Sequence, residues 1–244
     1  MRFLAPAARA PPGLRGTLRR LAARAQSLLP ARCLLCAEAG DAGLDLCAAC
    51  RAALPASRQA CRHCALPLPA PGLCGACLQR PPPLQLARAA FLYATPLDRL
   101  LPRYKFHGDL AAGRLLARLM ADAFAGCERP QALVPVPLHH GRLRQRGYDQ
   151  ALELARPLAA ALDLPVRGDL LRRVRATAAQ SELDAAARRR NLHGAFRANE
   201  RAPPAHVALV DDVMTTGATL HAAATALRQA GVARVDAWVC ARAP

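Results

Sequence analysis

Two adjacent carboxylates, Asp211 and Asp212, close the apolar run Val207-Ala208-Leu209-Val210. The turn Thr215-Thr216-Gly217-Ala218-Thr219 follows, and a helical pattern begins at Leu220. Paired carboxylates suit sugar hydroxyls or a hard cation such as Mg²⁺. A hydroxyl-rich turn feeding a helix offers free backbone N–H groups, Thr hydroxyls and the positive end of a helix dipole, which together suit a phosphate. One strand tip then holds both ends of a phosphorylated ribose. An ordinary strand–turn–helix would leave the acid pair unexplained, because charged side chains are rarely buried unless something uses them.

A second chemistry lies near the other end. Eight of the ten cysteines form four C-x-x-C pairs, Cys33/Cys36, Cys47/Cys50, Cys61/Cys64 and Cys74/Cys77. Each knuckle aims two thiolates at one point, and two knuckles complete a tetrahedral sulfur shell, so the array predicts two structural zinc ions. Disulfides need an oxidising compartment, and no export signal is visible. Sequential pairing is preferred: Cys33, Cys36, Cys47 and Cys50 on one ion, and Cys61, Cys64, Cys74 and Cys77 on the other. Interleaved pairing stays open. His63 sits inside a knuckle and reads as an exposed loop residue. Cys127 and Cys240 read as small buried hydrophobes.

These groups need a scaffold. Pro81-Pro82-Pro83 ends the cysteine region. Strands are expected over 86–94, 132–137, 170–174, 195–198, 205–210 and 232–240, and helices over 96–106, 109–124, 149–162, 183–191 and 217–230. Pro157 is expected to kink or divide its helix, and 139–149 reads as a basic loop. This alternation predicts an α/β domain with a mainly parallel sheet. Residues 1–32 form a basic segment with helical spacing at Leu14, Leu18, Leu21, Ala25 and Leu28, read as a docking helix or a frayed terminus. Residues 33–80 form the zinc module, and 86–244 the α/β domain.

The chain has 244 residues, 53% hydrophobic and 4% aromatic, which supports a core of Ala, Leu and Val. No apolar run is long enough to span a bilayer, and the first thirty residues lack a signal-peptide core, so a cytoplasmic protein is expected. The net charge is +17, and Lys105 is the only lysine among 34 Lys and Arg. An anionic partner such as nucleic acid accounts for that charge. So does a GC-rich coding bias toward Arg, Ala and Pro.

Ligands of open α/β sheets bind beyond the carboxyl ends of strands. Three stretches leave such ends: one with Arg142, Arg144 and Arg146, one from Arg172 through Arg175 to Arg188, and the acid-pair turn. Val207–Leu220 resembles the PRPP-binding signature of type I phosphoribosyltransferases. The whole series is similar to the ComF family: four C-x-x-C pairs, V-P-V-P, R-G-Y-D-Q-A, R-x-T-x-x-Q-x-x-L, R-x-x-N-x-x-G-A-F and V-D-D-V-x-T-T-G-x-T. The resemblance covers about residues 33–241. It implies a double zinc ribbon followed by a domain with the type I phosphoribosyltransferase sheet. It implies PRPP with Mg²⁺: Thr215, Thr216, Gly217, Ala218 and Thr219 on the 5′-phosphate, Asp211 and Asp212 on the ribose hydroxyls directly or through the metal, and Arg142, Arg144, Arg146, Arg175 and Arg188 on pyrophosphate. Phosphoribosyl transfer, a glycosyltransferase-class reaction, would follow, with no acceptor named. The family is linked to natural competence and DNA uptake at the inner face of the membrane. The alternative is a non-catalytic single-stranded DNA or nucleotide binder on the same fold. Tyr104, Lys105 and Phe106 are candidates to face a base, although Tyr and Phe at that spacing fit a core. The chain ends soon after Cys240, so the zinc module and residues 86–107 are expected to cover the site in place of a C-terminal hood.

Overall fold

The structure, a computed structural model, describes residues 31–175, 192, 194–199 and 203–243. The expected helices over 14–29 and 183–191, and with them Arg188, lie outside the described residues. Two compact units divide at Arg51/Ala52.

The first unit is built on the earlier cysteine knuckles. Arg32 pairs antiparallel with Ala39, and Leu34 N–H donates to Asp45 C=O at 3.0 Å. Helix α1 (Ala48–Ala52) begins directly after Cys47. The second unit opens with the matching knuckles, where Ala60 pairs with Pro67, Cys61 pairs with Gly72, and α2 (Gly75–Gln79) follows Cys74. Ala37 and Ala65, each just after the second cysteine of its knuckle, have φ of 65° and 54°. A left-handed non-glycine residue costs about 1–2 kcal/mol, so both knuckles hold their turn against the same local preference.

The sheet of the second unit comprises β1 (Leu86–Leu92), β2 (Ala132–Pro135), β5 (His206–Met214) and β6 (Arg234–Arg242), all parallel, in the order β1-β6-β5-β2. Val207 to Val210 and Val235 to Ala241 are buried throughout, as expected for strands covered on both faces. Helices α4 (Leu110–Phe124) and α6 (Gln150–Leu162) pack together over one face, with α3 (Leu97–His107) against α4. Helix α7 (Ala218–Gln229) packs on the sheet together with the antiparallel ribbon of β3 (Leu171–Arg173) and β4 (Phe196–Ala198). Asp109 caps α4 by accepting from Ala112 N–H at 3.0 Å, and Asp149 caps α6 by accepting from Leu152 N–H at 3.1 Å. None of the described helices is long and apolar enough to cross a membrane.

Several boundaries differ from the expectations. The basic loop is instead α5 (His140–Arg146), started by His139 Nδ1 accepting from Gly141 N–H and ended by Gly147 at φ 78°. Helix α6 runs undivided past Pro157, because buried Leu154, Ala155, Leu158 and Ala159 hold both halves against the core. Strand β5 continues through the acid pair to Met214, because β6 pairs with it as far as Arg242. Residues 170–174 and 195–198 form the side ribbon, not strands of the main sheet. His63 is half-buried where an exposed position was expected, and Cys127 is only partly buried, whereas Cys240 is fully buried.

Candidate functional site

Strand β2 ends at Pro135, opposite Val210, one residue before Asp211. Strand β5 therefore passes its neighbour on one side while staying paired to β6 on the other. That offset opens Asp211 toward the loop after β2, although the acids lie inside the strand. Asp211 Oδ1 accepts from Asp212 N–H at 2.9 Å, and Asp212 Oδ1 accepts from Val213 N–H at 2.7 Å. Burial, with the Asp212 charge beside it, pushes the Asp211 carboxyl up to about 8, although Lys105 pulls the other way. Asp211 is thus held largely protonated at neutral pH.

Beyond Met214 the chain enters the hydroxyl-rich turn. Thr215 and Thr216 are exposed, and Gly217 takes φ 74° ahead of α7. A Cβ on Gly217 would lie 2.6 Å from Met214 Cε, and only glycine adopts this φ without strain. Thr216 Oγ1 accepts from Ala218 N–H at 3.4 Å. Asp211, Val213, Met214, Thr215, Gly217, Ala218, Thr219 and Leu220 line one small concavity, so Asp211 and the turn form a single surface, with Asp212 buried beside it.

The basic groups come from α5 and β3. Arg142 and Arg146 are four residues apart and share a helix face; Arg144 lies on the other side and is exposed. Arg173, which lay in the candidate stretch but was not singled out in it, is half-buried above the Phe196 ring at 5.4 Å and feels the charges of Arg142 and Asp211. The period-two spacing that puts Arg173 on the same strand face as Leu171 was the available signal. Arg175 is exposed at the end of the described stretch. Burial, then the charges of His140, Arg173 and Arg142, hold His139 below the ordinary imidazole range. Asp149 anchors this side, because its Oδ2 accepts from Leu138 N–H at 3.1 Å while its Oδ1 caps α6.

The structure assigns the other side of the acid pair to α3. Lys105 Nζ lies 2.8 Å from Asp212 Oδ2. Burial alone would lower the Lys105 pKa, but the Asp212 carboxylate outweighs it and the ammonium is favoured. Gln150 Nε2 donates to Lys105 C=O at 3.4 Å, Tyr148 Oη donates to Tyr104 C=O, and Tyr104 Oη donates to Gln150 C=O at 2.5 Å. Tyr104 is a buried core residue, whereas Phe106 is exposed with the Arg146 guanidinium 5.7 Å above its ring. Three of the four carboxylate oxygens of the pair already have partners. A directly held Mg²⁺ would have to share Asp212 with an ammonium, so the donor set suits a sugar diol and does not fit a cation bound by both acids.

The second cysteine cluster reaches the same strand ends. Arg242 is buried, and its Nε donates to Cys64 C=O at 2.8 Å while its Nη1 donates to Met214 C=O at 3.2 Å. Within each set, Cys33/Cys36/Cys47/Cys50 and Cys61/Cys64/Cys74/Cys77, the sulfurs all lie within 4.8 Å of one another. Cys36–Cys47 and Cys64–Cys74 sulfurs are 3.6 and 3.7 Å apart. A tetrahedron with Zn–S of about 2.3 Å places its sulfurs roughly 3.8 Å apart, so the donors fit zinc. Burial opposes ionisation of Cys33 and Cys61, but backbone N–H groups from Cys47, Cys36 and Leu35 for one, and Cys74, His63 and Cys64 for the other, bring each thiol down to about 6. Neighbouring sulfurs hold Cys36 and Cys50, and burial with neighbouring sulfurs holds Cys64 and Cys77, above the ordinary thiol range. Each cluster therefore offers one ready thiolate, and a bound metal would displace the protons that remain.

These features define a phosphoribosyltransferase-like α/β protein carrying a double zinc ribbon. Residues 25–78 match the double zinc ribbon domain family, and residues 149–244 match the phosphoribosyl transferase domain family. The chain belongs to the ComF family. It is 39% identical over 179 residues to Competence protein F of Haemophilus influenzae, covering 70% of this chain and 78% of that one. It is 37% identical over 217 residues to the DNA utilization protein YhgH of Salmonella typhimurium, covering 86% and 89%. Competence protein ComFC of Bacillus subtilis is 31% identical over 152 residues, 62% of this chain and 61% of its own.

Proposed function

We propose that this protein binds PRPP, or a related phosphorylated ribose, at the end of β5. The observation that supports the reading best is the continuity of Asp211 and the turn: Asp211 and the Gly217 turn line one concavity at the N-terminus of α7. The 5′-phosphate sits on the N–H groups and hydroxyls of residues 215–219. The ribose diol meets Asp211 and Asp212. Pyrophosphate faces Arg142, Arg146 and Arg173; Arg144 on the opposite side of α5, Arg175 and Arg188 are the remaining candidates. Mg²⁺ enters as the counter-ion that the diphosphate brings with it.

Transfer to an acceptor breaks the C1–O bond. Pyrophosphate leaves with the bonding electrons, and the acceptor's lone pair closes on C1 as its proton departs. The Asp212 carboxylate stabilises positive character at the sugar, and guanidinium groups stabilise the leaving group. By analogy with the competence and DNA utilization proteins it resembles, the activity serves the handling of incoming DNA.

A second reading, binding of single-stranded DNA without turnover, draws on a different place. Exposed Arg58, Arg62 and Arg88 line a cavity of about 550 Å³ between the second ribbon and β1. Binding of that kind falls steeply with salt.

Calorimetry with PRPP, with and without Mg²⁺, tests the first reading. Binding by the zinc-loaded chain, lost in the double substitution Asp211→Asn/Asp212→Asn, is expected. Unchanged binding in the double variant, or none in the parent, would sink it and leave the salt dependence of DNA binding to judge the second.

A further inference from the structure

The only lysine of the chain stands at the acid pair. Every other fixed cation is arginine, including those facing the pyrophosphate side. The two side chains differ in what they do to a carboxylate. A guanidinium forms a planar fork, whereas an ammonium is a compact point charge with three donors, closer in size and charge density to a bound cation. Lys105 Nζ approaches Asp212 Oδ2 at 2.8 Å, and Asp212 is 8% exposed. Its other oxygen is committed to Val213 N–H.

The position of this ammonium is built. Lys105 lies on the last turn of α3, whose carbonyls are tied down from the far side of the site by Tyr148 and Gln150. Tyr104, the preceding residue, is buried and returns a bond to Gln150 C=O. Gly113 lets α4 approach that ring, since a Cβ there would lie 2.5 Å from Tyr104 Cε2. Gly108, at φ 67°, ends the helix just beyond. The R-G-Y-D-Q stretch after α5 thereby braces the lysine against the acid pair from a separate segment.

We propose that Lys105 is the resident cation of the acid pair, occupying the place a protein-bound divalent ion would take, so that Asp211 and Asp212 hold a ribose diol without a metal of their own. This rests on the phosphorylated-ribose reading above. Lys105 is a positioning residue: it fixes the Asp212 carboxylate and leaves lone pairs on that oxygen for a sugar hydroxyl. Mg²⁺ demands near-ideal octahedral oxygen geometry and gives up its waters reluctantly, so an ammonium already on Asp212 excludes it. The preference that results is for ligands carrying the 2′,3′-diol, whether or not they bring a metal-chelating diphosphate.

Two probes separate this inference from the reading it rests on. The first is Mn²⁺ alone, titrated into the zinc-loaded full chain and followed by the spin resonance of free Mn²⁺. The parent is expected to show no site that Asp212→Asn removes. Lys105→Gln is expected to gain one, lost again in Lys105→Gln/Asp212→Asn, while Lys105→Arg gains none. The second probe is ribose 5-phosphate, which has no diphosphate. The parent binds it equally with and without Mg²⁺. Lys105→Gln loses about tenfold or more in metal-free buffer, the loss expected when an unfixed Asp212 gives up one charge-assisted hydrogen bond to the diol, and recovers it with Mg²⁺. Trp238 emission certifies that each variant is folded. An Asp212-dependent Mn²⁺ site in the parent, or none in Lys105→Gln, overturns the inference. A parent that binds neither ribose 5-phosphate nor PRPP overturns the ligand reading instead, and the Mn²⁺ titration still decides the role of Lys105.

Discussion

Neighbouring carboxylates on one strand repel each other, and a protein interior solvates them poorly. Asp211 carries most of that cost. A carboxyl whose pKa is about 8 when folded and about 4 when unfolded binds its proton more tightly in the folded state. The protein therefore loses stability as pH rises from about 4 to about 8, and the loss is complete above that window. Asp211→Asn removes the ionisation. It is expected to match the parent near pH 4 and to melt at least about 2 °C higher at pH 9, the shift that ~1 kcal/mol produces in a domain of this size. Equal melting points across the range would show that the acid pair is not strained. The pair and its turn were readable because they are contiguous: apolar run, acids, hydroxyls and glycine follow one another in a single segment. Lys105 was noticed only as a group that could face a base. Its partner Asp212 lies far along the chain, and the packing of α3 against α4 and the 148–150 segment brings them together.

Among the elements, the loop between β2 and α6 depends most on a single side chain. Asp149 caps α6 and also satisfies Leu138 N–H from the far side of α5. Asp149→Ala removes a helix cap, worth about 1 kcal/mol, and strands a backbone donor, worth about 1–3 kcal/mol. A loss of about 2–3 kcal/mol is expected in denaturant unfolding, with faster amide exchange at Leu138. A loss below 1 kcal/mol, with Leu138 still protected, would show that the loop is held by something else. Strand and helix order followed from apolar periodicity, and the helices expected over 109–124 and 149–162 each start at the aspartate that caps it. Helix α5 was not, because its Arg-rich composition reads as solvated coil. Its limits are set by His139 and Gly147 rather than by an apolar stripe. The end of β5 was misjudged for a related reason: charged residues look like a strand end, but register with β6 carries the strand through them.

For the whole molecule, the cysteine spacing was the most direct guide, since four knuckles at even intervals allow few arrangements. The grouping of the second ribbon with the α/β body was not readable. It depends on contacts such as Ser57 N–H to Ala90 C=O at 3.0 Å and Arg242 to Cys64 C=O, which join distant segments. Removing zinc from the full chain should unfold the knuckles, because so small a module has little core without its metal. It should also free Arg242 from Cys64 and lower the melting point of the α/β body by a few degrees without unfolding it at 25 °C. A body that collapses together with the knuckles would show instead that the two melt as one cooperative unit. The chain supplies its own means of telling these outcomes apart. Its single tryptophan, Trp238, is buried on β6 with its ring 5.1 Å from that of Phe124. Intrinsic fluorescence therefore originates in the sheet and not in the cysteine clusters. One optical channel watches the α/β body while thiol reactivity or released metal watches the ribbons, and no engineered label is needed to follow the two separately.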